Sequence, residues 1–235
     1  MPTVADLLVR RLVESGVRTL VGMPGGGSNL DLLEAAGRVG LPFVLSHTET
    51  AGALIACAQA ELAGSPGACL ATLGPGVASL VNGAAHASLD RVPLLLLTDA
   101  MAASGRDIFQ HQRFDHAAVL APVTKGSVTI ETDHADEQIT LALELAMTFA
   151  PGPVHIDLAP DVARQLVVFR ETLASTTATA TTTATATTTA TATTTETATT
   201  TTTPIAPAST ASTASTASTA STPATSTHSA APDLN

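Results

Sequence analysis

Basic side chains are scarce in this sequence: ten Lys and Arg against twenty Asp and Glu, for a formal charge of −10. They form no basic patch, and phosphate contacts need clustered Lys and Arg, so nucleic-acid partners are disfavoured. Cysteine is scarcer still. Cys57 and Cys69 sit in apolar helix-like and strand-like runs, and no Cys-His group has metal-ligand spacing, so the pair reads as two buried free thiols. No stretch approaches the ~18 consecutive apolar residues of a membrane-spanning helix. The first residues, Met-Pro-Thr-Val-Ala-Asp-Leu-Leu, lack the positive region and apolar core of a signal peptide. A cytoplasmic chain with no membrane partner is the expectation.

Charge then disappears almost entirely. Between Thr172 and Pro232 the one formally charged residue is Glu196, and the rest is nearly all Thr, Ala, Ser and Pro. The triplet Ala-Ser-Thr recurs five times from Ala208 to Thr222, and Leu173 and Ile205 are the large aliphatics of the segment. Such a composition cannot bury enough apolar surface to offset its ordering entropy, so 171–235 is expected to be a disordered tail. The remaining ~170 residues are enough for one sizeable core.

In that remainder strand-like and helix-like runs alternate. Helical patterns are predicted over 3–15, with Thr3 as cap and Val4, Leu7, Leu8 and Leu12 as the apolar stripe, then over 28–39, 50–62, 77–89 and 135–149. Strands are predicted over 19–23, 42–46, 68–73, 93–98, 125–130 and 154–158. The four consecutive leucines from Leu94 to Leu97 suit a strand buried on both faces. Residues 100–120 read as a loop with a helix after it. This alternation implies a doubly wound α/β fold, a parallel sheet with helices on both faces.

One acid stands out. Glu49 closes the run Leu41 to Thr50, where an apolar strand delivers a carboxylate to its C-terminal end and a small-residue helix carries the chain away. Ligands of parallel sheets sit outside the carboxyl ends of strands. A carboxylate there is costly to desolvate and therefore usually has a task. An acid favoured by a helix N-terminus is the plainer alternative. Glycine-rich turns, Gly22-Met-Pro-Gly-Gly-Gly27 and Gly74-Pro-Gly76, end the strands before and after it. His111, Asp115 and His116 could mimic a metal cluster, but nothing else converges on them, and no metal is expected from this chain.

Together these stretches resemble the pyrimidine-binding (PYR) domain of thiamine-diphosphate enzymes, in the group of acetolactate synthase, pyruvate oxidase and benzoylformate decarboxylase. The resemblance rests on Gly22 to Asn29, His47-Thr-Glu49, Ala51-Gly-Ala53, Thr72-Leu-Gly-Pro-Gly76, Asn82 to Pro93, Phe109-Gln110, Pro122 to Lys125 and Pro151 to Asp157, in that order. It covers residues 1–165 and implies a thiamine-diphosphate-binding domain of a 2-keto acid decarboxylase or carboligase. It implies that Glu49 is the catalytic acid. The family's glutamate hydrogen-bonds N1′ of the aminopyrimidine and favours the imino tautomer, which removes the thiazolium C2 proton. By the same resemblance Pro24, Gly25, Thr72, Pro75 and Asn82 contact or line the cofactor pocket, and Gly26 and Gln110 face the substrate channel.

The family's diphosphate-binding (PP) domain carries a Gly-Asp-Gly motif that holds Mg²⁺ and the diphosphate, and this sequence has no Gly-Asp-Gly. Activity is therefore expected to need a PP domain in trans, with the isolated chain inactive; the expected partners are a PP-domain chain or a second copy packed through the PYR domain, and the expected substrate is a small 2-keto acid. FAD occurs in the family but finds no support in these residues. Leu73 and Ser79 stand where a small polar residue and asparagine are common, which leaves substrate choice open. Two alternatives remain at this level. One is a truncated, non-catalytic PYR-domain protein with an interaction role or none. The other is a Rossmann-type dinucleotide binder, since Glu49 follows the glycine turn at about the spacing of a ribose-binding acid, although Pro24 interrupts that fingerprint.

Overall fold

The computed structural model describes residues 1–105, 108 and 110–167. The expected tail, 171–235, lies outside the described residues, as do Arg106, Asp107 and Phe109.

The first helix, α1 (Val4–Glu14), starts where its side chains dictate. Thr3 Oγ1 accepts the Asp6 amide at 3.2 Å while the Asp6 carboxylate accepts the Thr3 amide at 2.9 Å, a reciprocal capping box. Its Leu7, Leu8 and Leu12 are fully buried. The chain then alternates β1 (Leu20–Met23), α2 (Ser28–Val39), β2 (Phe43–Leu45), α3 (Glu49–Ala63), β3 (Gly67–Ala71), α4 (Pro75–Asp90) and β4 (Leu94–Asp99). After a loop and the short α5 (His116–Leu120) come β5 (Gly126–Thr129), α6 (Ala135–Met147), β6 (Pro153–Leu158) and α7 (Pro160–Ala163). The six strands form one sheet in the order β2-β1-β3-β4-β6-β5, and every pairing is parallel.

Side-chain alternation along the strands separates two cores. Leu95 and Leu97 of β4, Leu70 of β3 and Val154 and Ile156 of β6 face one side, packed with the leucines of α1 and with Leu32, Ile139 and Ala142. Leu94 and Leu96 of β4 and Cys69 and Ala71 of β3 face the other, against Ala53, Ala56 and Cys57 of α3 and Leu80, Ala84 and Ala87 of α4. Arg11 ties α1 to α6 through a paired contact with the Asp136 carboxylate at 2.8 and 3.0 Å.

Both cysteines are buried free thiols, as the sequence suggested. Burial pushes the Cys57 thiol up to about 11, with the charges of Glu61 and Asp90 adding, and pushes Cys69 up as well. Two expected boundaries shift. The strand read as 42–46 spans Phe43–Leu45, at the sheet edge beside β1, with Val44 and Leu45 exposed. The helix read as 135–149 ends at Met147, where Thr148 leaves helical geometry and folds its hydroxyl back onto the Glu144 carbonyl. Among the described residues no helix is long and apolar enough to cross a membrane.

Candidate functional site

From β1 the chain runs to the sheet edge through β2, then returns past β1 to β3 on its other side. The loops after β1 and β3 therefore diverge at a topological switch point, where parallel sheets open a crevice for ligands. Gly25 of the first loop and Thr72 of the second meet there, so closely that a Cβ on Gly25 would collide with the Thr72 side chain.

Glu49 reaches this crevice from the next loop. It is the first residue of α3, one step further into the helix than the sequence suggested, and Thr48 is the cap, its Oγ1 accepting the Ala51 amide at 3.1 Å. A carboxylate in the first turn is favoured by the helix dipole. Beyond Thr72 the chain enters α4 at Pro75. Opposite Glu49 stands Gly76: a Cβ there would lie 3.3 Å from Glu49 Oε1 and 2.8 Å from Thr72 Cγ2. The missing side chain keeps the carboxylate open on that side. Glu49 was expected to be desolvated, but in a single copy of the chain it is half-buried.

Of the other expected site residues, Pro24 and Gly25 are half-buried and Gly26 is exposed, all in the loop after β1. Pro75 is exposed at the start of α4, beside Gly76. Asn82 is exposed two turns further along α4. Gln110 is exposed in the segment before α5. Thus Glu49 and Thr72 meet at Gly76, and Gly25 packs against Thr72.

The sequence reading missed Asp99. Helix α2 begins after Gly27, which offers no side-chain cap, and the carboxylate at the end of β4 supplies one from a distance. Asp99 Oδ1 accepts the Asn29 amide at 3.0 Å and the Ser28 hydroxyl. Asp99 is only 2 % exposed, and neither its Oδ2 nor Asn29 Nδ2 has a hydrogen-bond partner among the described residues. Burial pushes the carboxyl up to about 6, against the lowering by those hydrogen bonds. It borders a cavity of about 350 Å³ that Gly26, Gly27, Thr72, Met101 and Gln112 also line. A polar Thr-Asp pair closing a leucine run was the available signal.

A second group was also missed. The cluster imagined from His111, Asp115 and His116 does not form: His111 is exposed, Asp115 caps α5 through the Ala118 amide at 2.9 Å, and His116 turns inward. His116 meets His155 and Asp157, which alternate onto one face of β6. Parallel register sets Thr98 beside Asp157 and Ser127 beside His155. Thr98 Oγ1 donates to Asp157 Oδ1 at 2.5 Å and lies 2.7 Å from His155 Nε2, while His155 Nδ1 lies 3.2 Å from Ser127 Oγ. His116 Nδ1 sits 2.9 Å from Asp157 Oδ1, and His116 Nε2 accepts the Gly74 amide at 3.0 Å. Every ring nitrogen and carboxylate oxygen of the trio thus has a protein partner. Burial raises the proton affinity of Asp157, but the hydrogen bonds from His116, His155 and Thr98 outweigh it and hold the carboxyl well below the usual carboxylate range. His155-Ile-Asp157, with two polar residues at period two in an apolar strand, was the sequence signal.

Residues 2–119 match the family described as thiamine pyrophosphate enzyme, N-terminal TPP binding domain. The chain is 35% identical over 161 residues to the probable acetolactate synthase large subunit of Methanocaldococcus jannaschii, covering 67% of this chain and 27% of that protein. It is 35% identical over 162 residues to the acetolactate synthase isozyme 3 large subunit of Escherichia coli, covering 67% and 28%. Against the acetolactate synthase large subunit of Lactococcus lactis the identity is 37% over 163 residues, covering 68% and 28%. The chain spans about a quarter of the length of the curated relatives it matches.

Proposed function

The chain belongs to the thiamine pyrophosphate enzyme family through its N-terminal TPP-binding domain, and on that premise we propose that residues 1–165 form the cofactor-activating half of an acetolactate-synthase-like 2-keto acid decarboxylase or carboligase. One observation carries this reading: the Glu49 carboxylate opens toward a glycine, in a crevice at the carboxyl ends of parallel strands. An aminopyrimidine needs such a place, a flat cleft with one acidic side chain at its wall. When bound, thiamine diphosphate supplies the electron sink for decarboxylating a 2-keto acid.

In this proposal Glu49 shares a proton with N1′ of the pyrimidine. Thr72, Pro75 and Asn82 line the ring, Pro24 and Gly25 form the turn beside it, and Gly26 and Gln110 lie toward the substrate. Covering the half-buried Glu49 by a second surface excludes water from its hydrogen bond to the ring. We assign that surface to a second copy packed through this domain or to a PP-domain chain, which also holds Mg²⁺ and the diphosphate. Leu54 and Ile55 of α3, 39% and 40% exposed, support an apolar partner near Glu49. A cytoplasmic location belongs to the same proposal.

Calorimetric titration of the full chain with thiamine diphosphate and Mg²⁺, alone and mixed with the diphosphate-binding domain of an acetolactate synthase, tests it. The expected result is weak or no binding alone, micromolar binding in the mixture, and loss of that binding with Glu49→Gln. Micromolar binding to the isolated chain that Glu49→Gln leaves unchanged overturns it.

A further inference from the structure

We infer that His116 is a positioning residue: held by Asp157 in the tautomer that carries its proton on Nδ1, it accepts the Gly74 amide through Nε2 and thereby fixes the start of α4 against Glu49. Its importance for Glu49 rests on the function proposed above; its grip on Gly74 does not.

The direction of every bond in the group follows from elementary donor and acceptor rules. The Gly74 N–H can only donate, so His116 Nε2, 3.0 Å away, must present a lone pair. The proton of a neutral ring then sits on Nδ1, where Asp157 receives it at 2.9 and 3.1 Å. Asp157 is an acceptor because its carboxyl is ionised. From the other side Thr98 donates its hydroxyl proton to the same carboxylate and so accepts from His155 Nε2. Donors converge on Asp157 from both sides, and one consistent arrangement remains. Such orientation of an imidazole by a carboxylate on its far nitrogen is how proteins select a tautomer.

Gly74 needs the help. It takes φ 64° and ψ −115°, open essentially to glycine alone, and it caps α4 with no side chain. Its amide is buried and would cost free energy if left unpaired. The segment that carries His116 also closes the other side: the backbone carbonyl of Gln112 occupies the space a Gly74 side chain would need, and Gln112 itself holds a left-handed φ of 60°. His116 is 7 % exposed, with the Phe114 ring edge-on at 5.3 Å between centroids. Two residues on, Gly76 faces the Glu49 carboxylate, so a turn released at Gly74 changes the wall that carboxylate sees.

NMR on the full chain without cofactor tests the grip. Two-bond ¹⁵N correlations of His116 are expected to show a protonated Nδ1 and an unprotonated Nε2, with a slowly exchanging Gly74 amide. His116→Asn keeps a donor for Asp157 but leaves Gly74 without an acceptor, and Gly74 exchange is expected to quicken roughly tenfold or more, the size of one ordinary net hydrogen bond. His116→Gln places a carbonyl near the former Nε2 and is expected to restore protection. A proton on Nε2 in the wild type overturns the inference, and that measurement stands even if a variant fails to fold. Unchanged Gly74 exchange in His116→Asn overturns it too. Thiamine diphosphate titration of the mixture described above is expected to weaken about tenfold with His116→Asn and recover with His116→Gln. A correct tautomer and Gly74 response, combined with no cofactor binding by the wild type, sinks the thiamine reading and leaves the positioning role in place.

Discussion

The two faces of the sheet are built from different material. On one, α1, α2 and α6 press leucines, valines and isoleucine against Leu95, Leu97 and Ile156. On the other, α3, α4 and α5 offer mostly alanine, glycine and cysteine, and the strands answer with Thr98, His155 and Asp157 as well as Leu94 and Leu96. Large aliphatic side chains give burial, about 1.5–3 kcal/mol for each one fully removed from water. Small ones give proximity: α3 and α4 approach until Gly83 has no room for a Cβ beside Ala53, and Glu49 and Gly76 are carried together. One face supplies most of the apolar stabilisation. The other gives some of that up to hold polar groups at defined distances.

The largest effect should come from the leucine face. Leu95→Ala removes a fully buried side chain from the leucine-packed core. It is expected to cost about 2–5 kcal/mol in chemical denaturation while leaving the donor pattern of His116 unchanged. A shifted His116 tautomer in this variant means the two faces are coupled, and the comparison fails.

Next come two carboxylates of opposite character, one directed to each face. Asp99 has a folded pKa raised to about 6, so the folded chain binds this proton more tightly than the unfolded one; its contribution to stability is greatest at low pH and is lost as pH rises from about 4 through about 6, by up to ~3 kcal/mol. Asp157 is held low, so its contribution is complete above about pH 4 and lost as pH falls through its depressed folded value. Asp99→Asn, which resembles the protonated acid, is expected to match or exceed the wild type in stability at pH 8, with the difference closing near pH 4. Asp157→Asn is expected to destabilise at pH 8. Denaturation curves across that range that move both variants the same way contradict this assignment.

The smallest effect is Gly83→Ala. Overpacking the α3–α4 contact is expected to cost up to about 2 kcal/mol after the roughly 1 kcal/mol gain in helix propensity is subtracted. Its sharper consequence is a displacement of Glu49 from Gly76, read as a chemical-shift change at Gly76 that Leu95→Ala does not produce.

Local chemistry was legible in part where neighbours in sequence are neighbours in space. Thr3 was read as the cap of α1 and is one, with Asp6 closing the box within one turn, whereas Thr48, which caps α3 through Ala51, was passed over. The run Leu94 to Leu97 reads as a doubly buried strand and is one. Gly25, Glu49 and Thr72 come from three loops, yet their strands end at the same side of a parallel sheet, so alternation alone brought them near one another. Asp99 was not legible as the cap of α2, because the two are separated by 70 residues and the helix's own Gly27 gives no hint of a remote partner. His116 pointed the wrong way in sequence: beside Asp115 it suggested a surface cluster, whereas in space it meets a β6 carboxylate 41 residues away.

By itself the sequence determined which segments are helix and strand, the parallel wound order, and the acid and glycine turns at the ends of the first strands, since periodicity, caps and turn chemistry act over a few residues. Tertiary structure alone decided which carboxylate has its proton affinity raised and which has it lowered, which tautomer His116 adopts and how open Glu49 stands. Those properties depend on burial and on partners brought from distant strands, and no local pattern of residues encodes a distance between them.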